Sequence, residues 1–359
     1  MKKYIIIGLI VLVGGFLLLR PLFGTEEVGP GEVKELPAVF TFQDNLATVG
    51  EESAPLEITI NEEVDKLELF YNDSLMQTWK NPKGTLKFTL EAGIFGVGTR
   101  TLNLLSTLKD GSSFVDNRMV RVLSDINPEI KVAKILNEHP HEMTSFTQGL
   151  EFYKGKLYEG TGDPGDQGKT VVAEVDLATG KHIKSMGLQA GFFGEGITIL
   201  NDTLYQLTWK NNKCYYYDVN TLQLLGEFNY KTEGWGLCND GTSLIMSDGT
   251  ERIVFRNPST FAIERTIEVY NNEGPINYLN ELEYIDGKIY ANVWTTASLV
   301  VIEPSTGKVL QQINAKELFE KGRGYGEVMN GIAHNAQTGK TYMTGKNWIK
   351  LFEVQFVEP

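Results

Sequence analysis

Cysteine and histidine are scarce in this chain of 359 residues, which contains two cysteines and four histidines. One disulfide between Cys214 and Cys238 could not hold a chain of this length together. Both lie in strand-like segments, so we interpret them as buried free thiols rather than as a disulfide, a metal pair or a nucleophile. The histidines form no paired ligand motif such as HExxH, and the close pair His139 and His141 points only weakly to a metal. We therefore expect no catalytic metal or other cofactor, and leave a structural calcium ion open.

Positive charge is also scarce, with 33 Lys and Arg against 46 Asp and Glu and a formal net charge of −13. A general nucleic-acid-binding protein needs a basic surface, so this composition excludes that class. Docking on anionic lipid fits poorly for the same reason. We interpret the acidic excess as an ordinary solvated surface.

Long apolar runs are missing except at the N-terminus, where Lys2 and Lys3 precede uncharged residues 4–19 and Arg20 follows. A basic segment followed by an apolar one is typical of a signal sequence. No Ala-x-Ala site follows, which favours an uncleaved signal anchor over a cleaved signal peptide within residues 1–23. The larger positive charge before the segment predicts a cytoplasmic N-terminus. The rest of the chain would then lie outside the cytoplasm, in a periplasm or at the cell surface, held to the membrane by residues 4–19.

Two further segments precede the longest part of the chain. Residues 24–37 are rich in Gly, Pro and Glu and are predicted to be a linker. Residues 38–127 contain short alternating strands separated by turn residues, with no helical period, which favours an immunoglobulin-like β-sandwich. No chemically distinctive group stands out in this segment, so we expect a spacer or docking module.

Residues 128–359 contain an internal repeat that determines the predicted fold. Five units begin at Gly149, Gly196, Gly236, Glu281 and Gly331, at intervals of 40 to 50 residues. Each unit has the pattern of antiparallel strands joined by Asp/Asn-Gly and Thr-Gly turns, and four strands at this period are a propeller blade. The fifth unit stops after three strands, and the strand predicted at residues 130–136 can supply the fourth. We predict an all-β, five-bladed β-propeller with one helix at residues 315–321.

The start of each unit and the end of its second strand carry aromatic and polar residues, at positions that converge on the axis of a propeller. Taken singly, each tryptophan could be core and each carboxylate or amide a turn residue. Their shared position in the repeat favours a ligand pocket. The candidate residues are Phe146, Gln148, Phe193, Glu195, Trp209, Trp235, Asn280, Trp294 and Lys346.

Six motifs, in order and with compatible spacing, resemble the plant and bacterial glutaminyl cyclases, also called glutamine cyclotransferases. These motifs are Phe146-Thr-Gln-Gly-Leu, Phe193-Gly-Glu-Gly, the Leu-Thr-Trp-Lys run ending at Lys210, Glu233-Gly-Trp-Gly-Leu, Leu279-Asn-Glu-Leu-Glu and Asn292-Val-Trp. The resemblance implies a five-bladed propeller without the zinc site of the animal-type cyclases. It also implies a glutaminyl-peptide cyclotransferase of the acyltransferase class, which converts N-terminal Gln to pyroglutamate with release of ammonia. The segment Glu159-Gly-Thr-Gly departs from the family, because relatives often carry serine there.

The same resemblance implies roles for the candidate residues. Glu195 would be the general acid and base, and Gln148, Asn280 and Lys346 would hold the amide oxygen as charge develops on it. Phe146 and Phe193 would form walls, while Trp209, Trp235 and Trp294 would hold the folded Gln side chain and exclude water. The expected partners are peptides or proteins with N-terminal Gln, and the expected state is a monomer.

Two other functions stay open on the residues alone. A calcium-dependent lactonase-type hydrolase could use oxygen ligands from Asn280, Glu281, Asn330 and Asp248. A non-catalytic propeller could instead bind a partner outside the membrane, with the sandwich as its spacer. Loss of activity on chelation would indicate the calcium-dependent hydrolase. Function that is unchanged in Glu195→Gln would indicate the non-catalytic propeller.

Overall fold

The computed structural model describes residues 35–42, 46–50, 52–165 and 170–359. The predicted anchor at 1–23 and residues 24–34 of the predicted linker lie outside the described residues. Within the described ranges, no helix is both long and apolar enough to cross a membrane. Contacts divide the chain into two compact units between Val122 and Leu123. The all-β prediction is confirmed, whereas the domain boundaries expected from the sequence stay a prediction.

The first unit consists of strands in two sheets. Its strands are β1 Ala38–Phe40, β2 Leu46–Val49, β3 Ser53–Ile60, β4 Lys66–Tyr71, β5 Ser74–Lys80, β6 Thr85–Glu91, β7 Gly98–Thr107 and β8 Ser113–Leu123. One sheet has the order β1-β3-β6 and the other β2-β8-β7-β4-β5. A short 3-10 helix, Ala92–Phe95, follows β6. Leu67, Leu69 and Tyr71 alternate along β4 and are fully buried, as expected for a strand with one face on a core.

The second unit is built from four-stranded antiparallel arrangements. Its strands are β9 Glu129–Pro140, β10 Phe146–Tyr153, β11 Lys156–Gly162, β12 Val171–Asp176, β13 Lys181–Gly187, β14 Gly194–Leu200, β15 Thr203–Thr208, β16 Lys213–Asp218, β17 Leu224–Asn229, β18 Leu237–Asn239, β19 Leu244–Ser247, β20 Arg252–Arg256, β21 Ile263–Glu268, β22 Leu279–Ile285, β23 Lys288–Val293, β24 Ser298–Ile302, β25 Val309–Asn314, β26 Met329–Asn335, β27 Lys340–Gly345 and β28 Lys350–Val357. Sheets β10-β11-β12-β13, β14-β15-β16-β17 and β18-β19-β20-β21 each follow chain order. A further sheet has the order β22-β23-β24-β25-β9-β28-β27-β26.

Strand β9 completes the last repeat from the other end of the second unit. It pairs antiparallel with β28, from Lys350 opposite Pro140 to Val357 opposite Val132. The strand predicted at residues 130–136 therefore does supply the fourth strand of the fifth repeat. Strand β9 also pairs in parallel with β25, which joins two four-stranded sets into one sheet. Helix α1, Lys316–Gly322, lies within one residue of the predicted helix.

The first strands of successive repeats contact one another in a closed series. Strand β10 contacts β14, β14 contacts β18, β18 contacts β22, β22 contacts β26, and β26 contacts β10. Every residue of β14 is buried, as expected for a strand covered on both faces. The glycine that opens a repeat permits this close approach, because a Cβ atom on Gly196 would lie 2.5 Å from the backbone nitrogen of Leu237.

Cys214 and Cys238 are both free and buried, which confirms the interpretation from the sequence. Burial raises the pKa of both thiols above the usual range. Each therefore remains a protonated, apolar core residue at neutral pH.

Candidate active site

Glu195 lies at the start of strand β14, where the pairing with β15 shifts register between Gly194 and Ile197. Its side chain is buried, and its Oε1 atom accepts a hydrogen bond from Nε2 of Gln148 at 3.1 Å. Burial raises the pKa of the Glu195 carboxyl well above its ordinary value, although the charge of Lys346 acts in the opposite direction. A carboxyl group shifted upwards in this way can both accept and return a proton near neutral pH.

Lys346 follows strand β27 and is the buried cation of the site. Its backbone is fixed on both sides, because its N–H donates to the Val328 carbonyl at 3.0 Å and its carbonyl accepts from the Glu327 N–H at 2.8 Å. Its Nζ atom lies 4.7 Å from the centre of the Phe146 ring, a cation–π arrangement. Burial lowers the pKa of Lys346, and the negative charge of Glu195 partly opposes that shift.

Asn330 fixes the orientation of Gln148. Its Nδ2 atom donates to Oε1 of Gln148 and to the Thr147 carbonyl, both at 3.1 Å. The Gln148 amide nitrogen is thereby directed towards Glu195. The sequence suggested Asn330 as an oxygen ligand of the alternative calcium site, and this hydrogen bond was not foreseen.

Two buried amide oxygens at the starts of β22 and β26 have no hydrogen-bond partner among the described residues, namely Oδ1 of Asn280 and Oδ1 of Asn330. An unpaired buried acceptor costs about 1–3 kcal/mol. Both atoms could accept a hydrogen bond from a ligand amide or ammonium group. The donor role expected for Asn280 stays a prediction.

The five predicted aromatic residues lie in two contact groups. Phe146 packs edge-to-face on Phe193, with ring centres 6.0 Å apart, and Phe193 packs on Trp209 at 5.7 Å. Trp235 and Trp294 form the second group at 5.6 Å, with an interplanar angle of 84°. These edge-to-face geometries are the favoured ones for aromatic pairs.

Glu233 joins the two aromatic groups. Its Oε2 atom accepts hydrogen bonds from Nε1 of Trp209 at 2.7 Å and from Nε1 of Trp235 at 3.0 Å. Its negative charge also contributes to the raised pKa of Glu195, which places it within electrostatic range of that carboxyl group. In the sequence Glu233 appeared as part of the Glu-Gly-Trp-Gly motif, and nothing there distinguished it from a turn residue.

A buried carboxylate network links the two segments that carry Gln148 and Lys346. Fully buried Glu159 accepts hydrogen bonds from Thr147 Oγ1 at 2.7 Å and from Ser145 Oγ at 3.0 Å. Nε2 of His141 and Nε2 of His182 each lie 3.0 Å from its oxygens. Burial alone would raise the pKa of Glu159, but the His141 charge and these hydrogen bonds hold it well below its usual range.

His141 also extends this network towards Lys346. Its Nδ1 atom lies 2.8 Å from the carbonyl oxygen of Trp348, two residues after the lysine. Burial alone would lower the pKa of His141, but the Glu159 charge raises it. Thus His141, considered in the sequence as a weak metal ligand, bonds Glu159 and the Trp348 carbonyl.

Two members of the alternative oxygen-rich set, Glu281 and Asp248, are engaged in other contacts. The Glu281 carboxylate accepts from the backbone N–H groups of Leu150 at 3.2 Å and Ile332 at 2.8 Å, and so joins three repeats. Asp248 accepts from both the N–H and the hydroxyl of Thr250. Within the ranges that the structure describes, no group of three or more His, Cys, Asp or Glu residues could hold a metal ion.

Comparisons with known proteins show the family of the chain. The family model described as Glutamine cyclotransferase matches residues 111–356. The chain belongs to this family. A glutaminyl-peptide cyclotransferase of Arabidopsis thaliana is 35% identical over 238 residues, which are 64% of this chain and 73% of the relative. The crystal structure of Myxococcus xanthus glutaminyl cyclase superimposes with a TM-score of 0.60 and 33% identity, and the match covers 64% of this chain and 99% of that chain.

Proposed function

We propose that this member of the glutamine cyclotransferase family is a glutaminyl-peptide cyclotransferase, an enzyme of the acyltransferase class. Its reaction converts the N-terminal Gln of peptides and proteins to pyroglutamate and releases ammonia. The observation that carries the proposal is the buried Glu195 carboxyl, which bonds Gln148 and lies within electrostatic range of Lys346 and Glu233. Membership of the family and the two relatives support the same activity.

The site would sit on a five-bladed β-propeller, with an immunoglobulin-like sandwich before it. The closed series of contacts from β10 through β14, β18, β22 and β26 supports the propeller. Completion of the last repeat by β9 supports it as well, because closure removes long unpaired sheet edges. The two sheets of the first unit support the sandwich. The N-terminal anchor, an extracytoplasmic location and a monomeric state complete the proposal.

In the reaction the α-amine attacks the side-chain amide carbon of the same residue. A nitrogen–carbon bond forms, and the bond to the amide nitrogen breaks. Glu195 accepts a proton from the α-amine and returns it to the leaving nitrogen, which departs as ammonia. The substrate supplies its own nucleophile, so the protein needs none.

Negative charge develops on the amide oxygen as the tetrahedral intermediate forms. Lys346 is the buried cation of the site, and Gln148 and Asn280 provide amide groups at the starts of their repeats. Losing one donor to a developing oxyanion typically costs about 3 kcal/mol in the barrier. We assign these residues to oxyanion stabilisation, independent of a metal.

The aromatic residues would select the compact conformer of the Gln side chain. Trp209 and Trp235 are held at fixed orientations by the Glu233 carboxylate, so the walls are preorganised. Fixing the amine beside the amide carbon lowers the entropic cost of ring closure, and exclusion of water suppresses hydrolysis.

The test uses the full-length chain and a short peptide that begins with Gln. Ammonia release and a matching loss of peptide mass are followed together, with and without a chelator. Wild type should cyclise the peptide in both conditions, and Glu195→Gln should reduce the rate by at least about 10²-fold. Glu320→Gln, an exposed carboxylate on α1, is the matched control and should retain the wild-type rate. If the folded protein releases no ammonia from several peptides that begin with Gln, a binding propeller is favoured. If ammonia release is lost when the chelator is added, a metal-dependent hydrolase is favoured.

A further inference from the structure

The aromatic contacts continue beyond the five residues predicted from the sequence. Tyr278 packs against Trp294, with ring centres 6.0 Å apart and planes inclined at 52°. Exposure increases along the series, from 8% for Phe146 to 36% for Trp294 and 54% for Tyr278. The aromatic walls therefore open to solvent at the Trp294–Tyr278 pair, and two large rings there are left partly uncovered.

The backbone at this pair is strained. Tyr278 has φ of 63° and Thr295 has φ of 65°, in the left-handed region that bulky and β-branched residues rarely adopt. Hydrogen bonds hold both segments, since the Tyr278 N–H donates to the Gly249 carbonyl and the Trp294 N–H to the Tyr278 carbonyl, each at 2.9 Å. Strain of this kind persists where the surrounding structure fixes it, and it clusters at binding sites.

We propose that Tyr278 and Trp294 form an aromatic subsite for the side chain of the second residue of the peptide substrate, and that this side chain is aromatic or large and aliphatic. The inference rests on the proposed function. Cyclisation places the first residue beside Glu195. The rest of the peptide stays attached to the main-chain carbonyl carbon of that residue and extends away from Glu195. One extended residue spans about 3.3–3.6 Å, so the second side chain lies directly outside the residue that reacts. Through Trp235, the Trp294–Tyr278 pair is continuous with that part of the site.

The geometry of the pair also indicates the chemistry of its ligand. Inclined ring faces offer dispersion contact and edge-to-face packing to another ring, and a glycine in second position would gain neither. The pair therefore adds affinity for peptides such as Gln-Phe over Gln-Gly, without touching the atoms that react.

The subsite is tested by comparing Gln-Phe-amide with Gln-Gly-amide as substrates of the full-length protein. Wild type should prefer Gln-Phe-amide by roughly twofold to tenfold in kcat/KM, mostly through KM. Tyr278→Asn removes the ring and suits the left-handed backbone, so this variant should lose the preference. Tyr278→Phe keeps the ring and should retain it, which separates a contact with the ring from an effect on folding.

A binding measurement without turnover distinguishes this proposal from the proposed function. Tryptophan fluorescence of Glu195→Gln, with and without Tyr278→Asn, reports the dissociation constants of both peptides. Tighter binding of Gln-Phe-amide that depends on the Tyr278 ring supports the subsite. If wild type binds in this way but releases no ammonia, the cyclase proposal is overturned and the subsite is not. Cyclisation with equal kcat/KM for the two peptides, or a preference that survives in Tyr278→Asn, would overturn the subsite alone.

Discussion

The side-chain amide of Gln148 donates a hydrogen bond to the carboxyl group of Glu195 over 3.1 Å, and both groups are buried. A hydrogen bond donated to a carboxylate stabilises its charged form, whereas burial destabilises it. The pKa of Glu195 therefore depends on a few identifiable neighbours, and replacing each neighbour should shift that pKa in a predictable direction.

Replacing Gln148 with Leu should raise the pKa of Glu195 further, because a donor to the ionised form is lost. Glu195 must be ionised to accept the proton of the amine, so the acidic limb of the kcat/KM profile should move to higher pH. The measurement is the pH dependence of cyclisation for wild type and Gln148→Leu on one peptide. An acidic limb unchanged in position would contradict the assigned contact.

Replacing Lys346 with Met should lower kcat by roughly 10²- to 10³-fold, since the buried cation that we assign to the developing oxyanion is lost. The Lys346 charge also lowers the pKa of Glu195, so its removal should shift the acidic limb to higher pH. Steady-state kinetics across pH check both effects. Lys316→Met, an exposed lysine on α1, is the matched control, and an equal loss in both variants would contradict a role for Lys346.

Replacing Glu233 with Gln should shift the acidic limb of the kcat/KM profile to lower pH, opposite to the shifts expected for Gln148→Leu and Lys346→Met. The Glu233 charge raises the pKa of Glu195, so neutralising it should lower that pKa and extend activity to lower pH. Gln retains one acceptor oxygen for the two indole groups, whereas Ala retains none. We therefore expect KM to rise more in Glu233→Ala than in Glu233→Gln, and equal KM values in the two variants would show that the bridge does not hold the tryptophans.

Replacing Glu159 with Gln should destabilise the protein by about 3–5 kcal/mol near neutral pH, because His141 loses its buried partner. The folded-state pKa of Glu159 lies below its ordinary value of 4.5. The contribution of Glu159 to the free energy of unfolding is therefore present above pH 4.5 and is lost as pH falls below that value. The folded-state pKa of His141 is raised above 6.5. The contribution of His141 to the free energy of unfolding is therefore complete below pH 6.5 and is lost as pH rises through the folded-state pKa. Thermal unfolding of wild type and Glu159→Gln across pH is the check, and a difference in Tm that does not narrow below pH 4.5 would contradict it.

Replacing Gly162 with Ala should raise KM, because the added Cβ atom would collide with the ring of Phe193 and approach Cδ1 of Phe146 to 3.2 Å. Steady-state kinetics should show a raised KM, and thermal unfolding should show little change in Tm, because the displaced ring packs on Trp209 of the candidate site. Gly187→Ala, whose Cβ would meet only a carbonyl oxygen at 3.4 Å, serves as the control.

Much of the fold was predictable because the repeat is a local pattern. The turn chemistry of each unit depends on neighbouring residues, and the missing strand of the last unit required a partner that the sequence contains at residues 130–136. The placement of Glu195, Gln148, Lys346 and the aromatic residues followed from their equivalent positions in the repeat and from the family motifs.

The sequence by itself therefore determined the all-β class, the strand pattern of the repeats and the free thiols, and it placed Gln148 and Glu195 at equivalent positions in their repeats. Only the tertiary structure decided how these residues are paired. The bridge from Glu233 to Trp209 and Trp235, the bond from Asn330 to Gln148, and the histidines around Glu159 join residues up to 182 positions apart. Hydrogen bonds of this kind depend on distances of a few tenths of an ångström between separate strands, and no spacing along the chain encodes them.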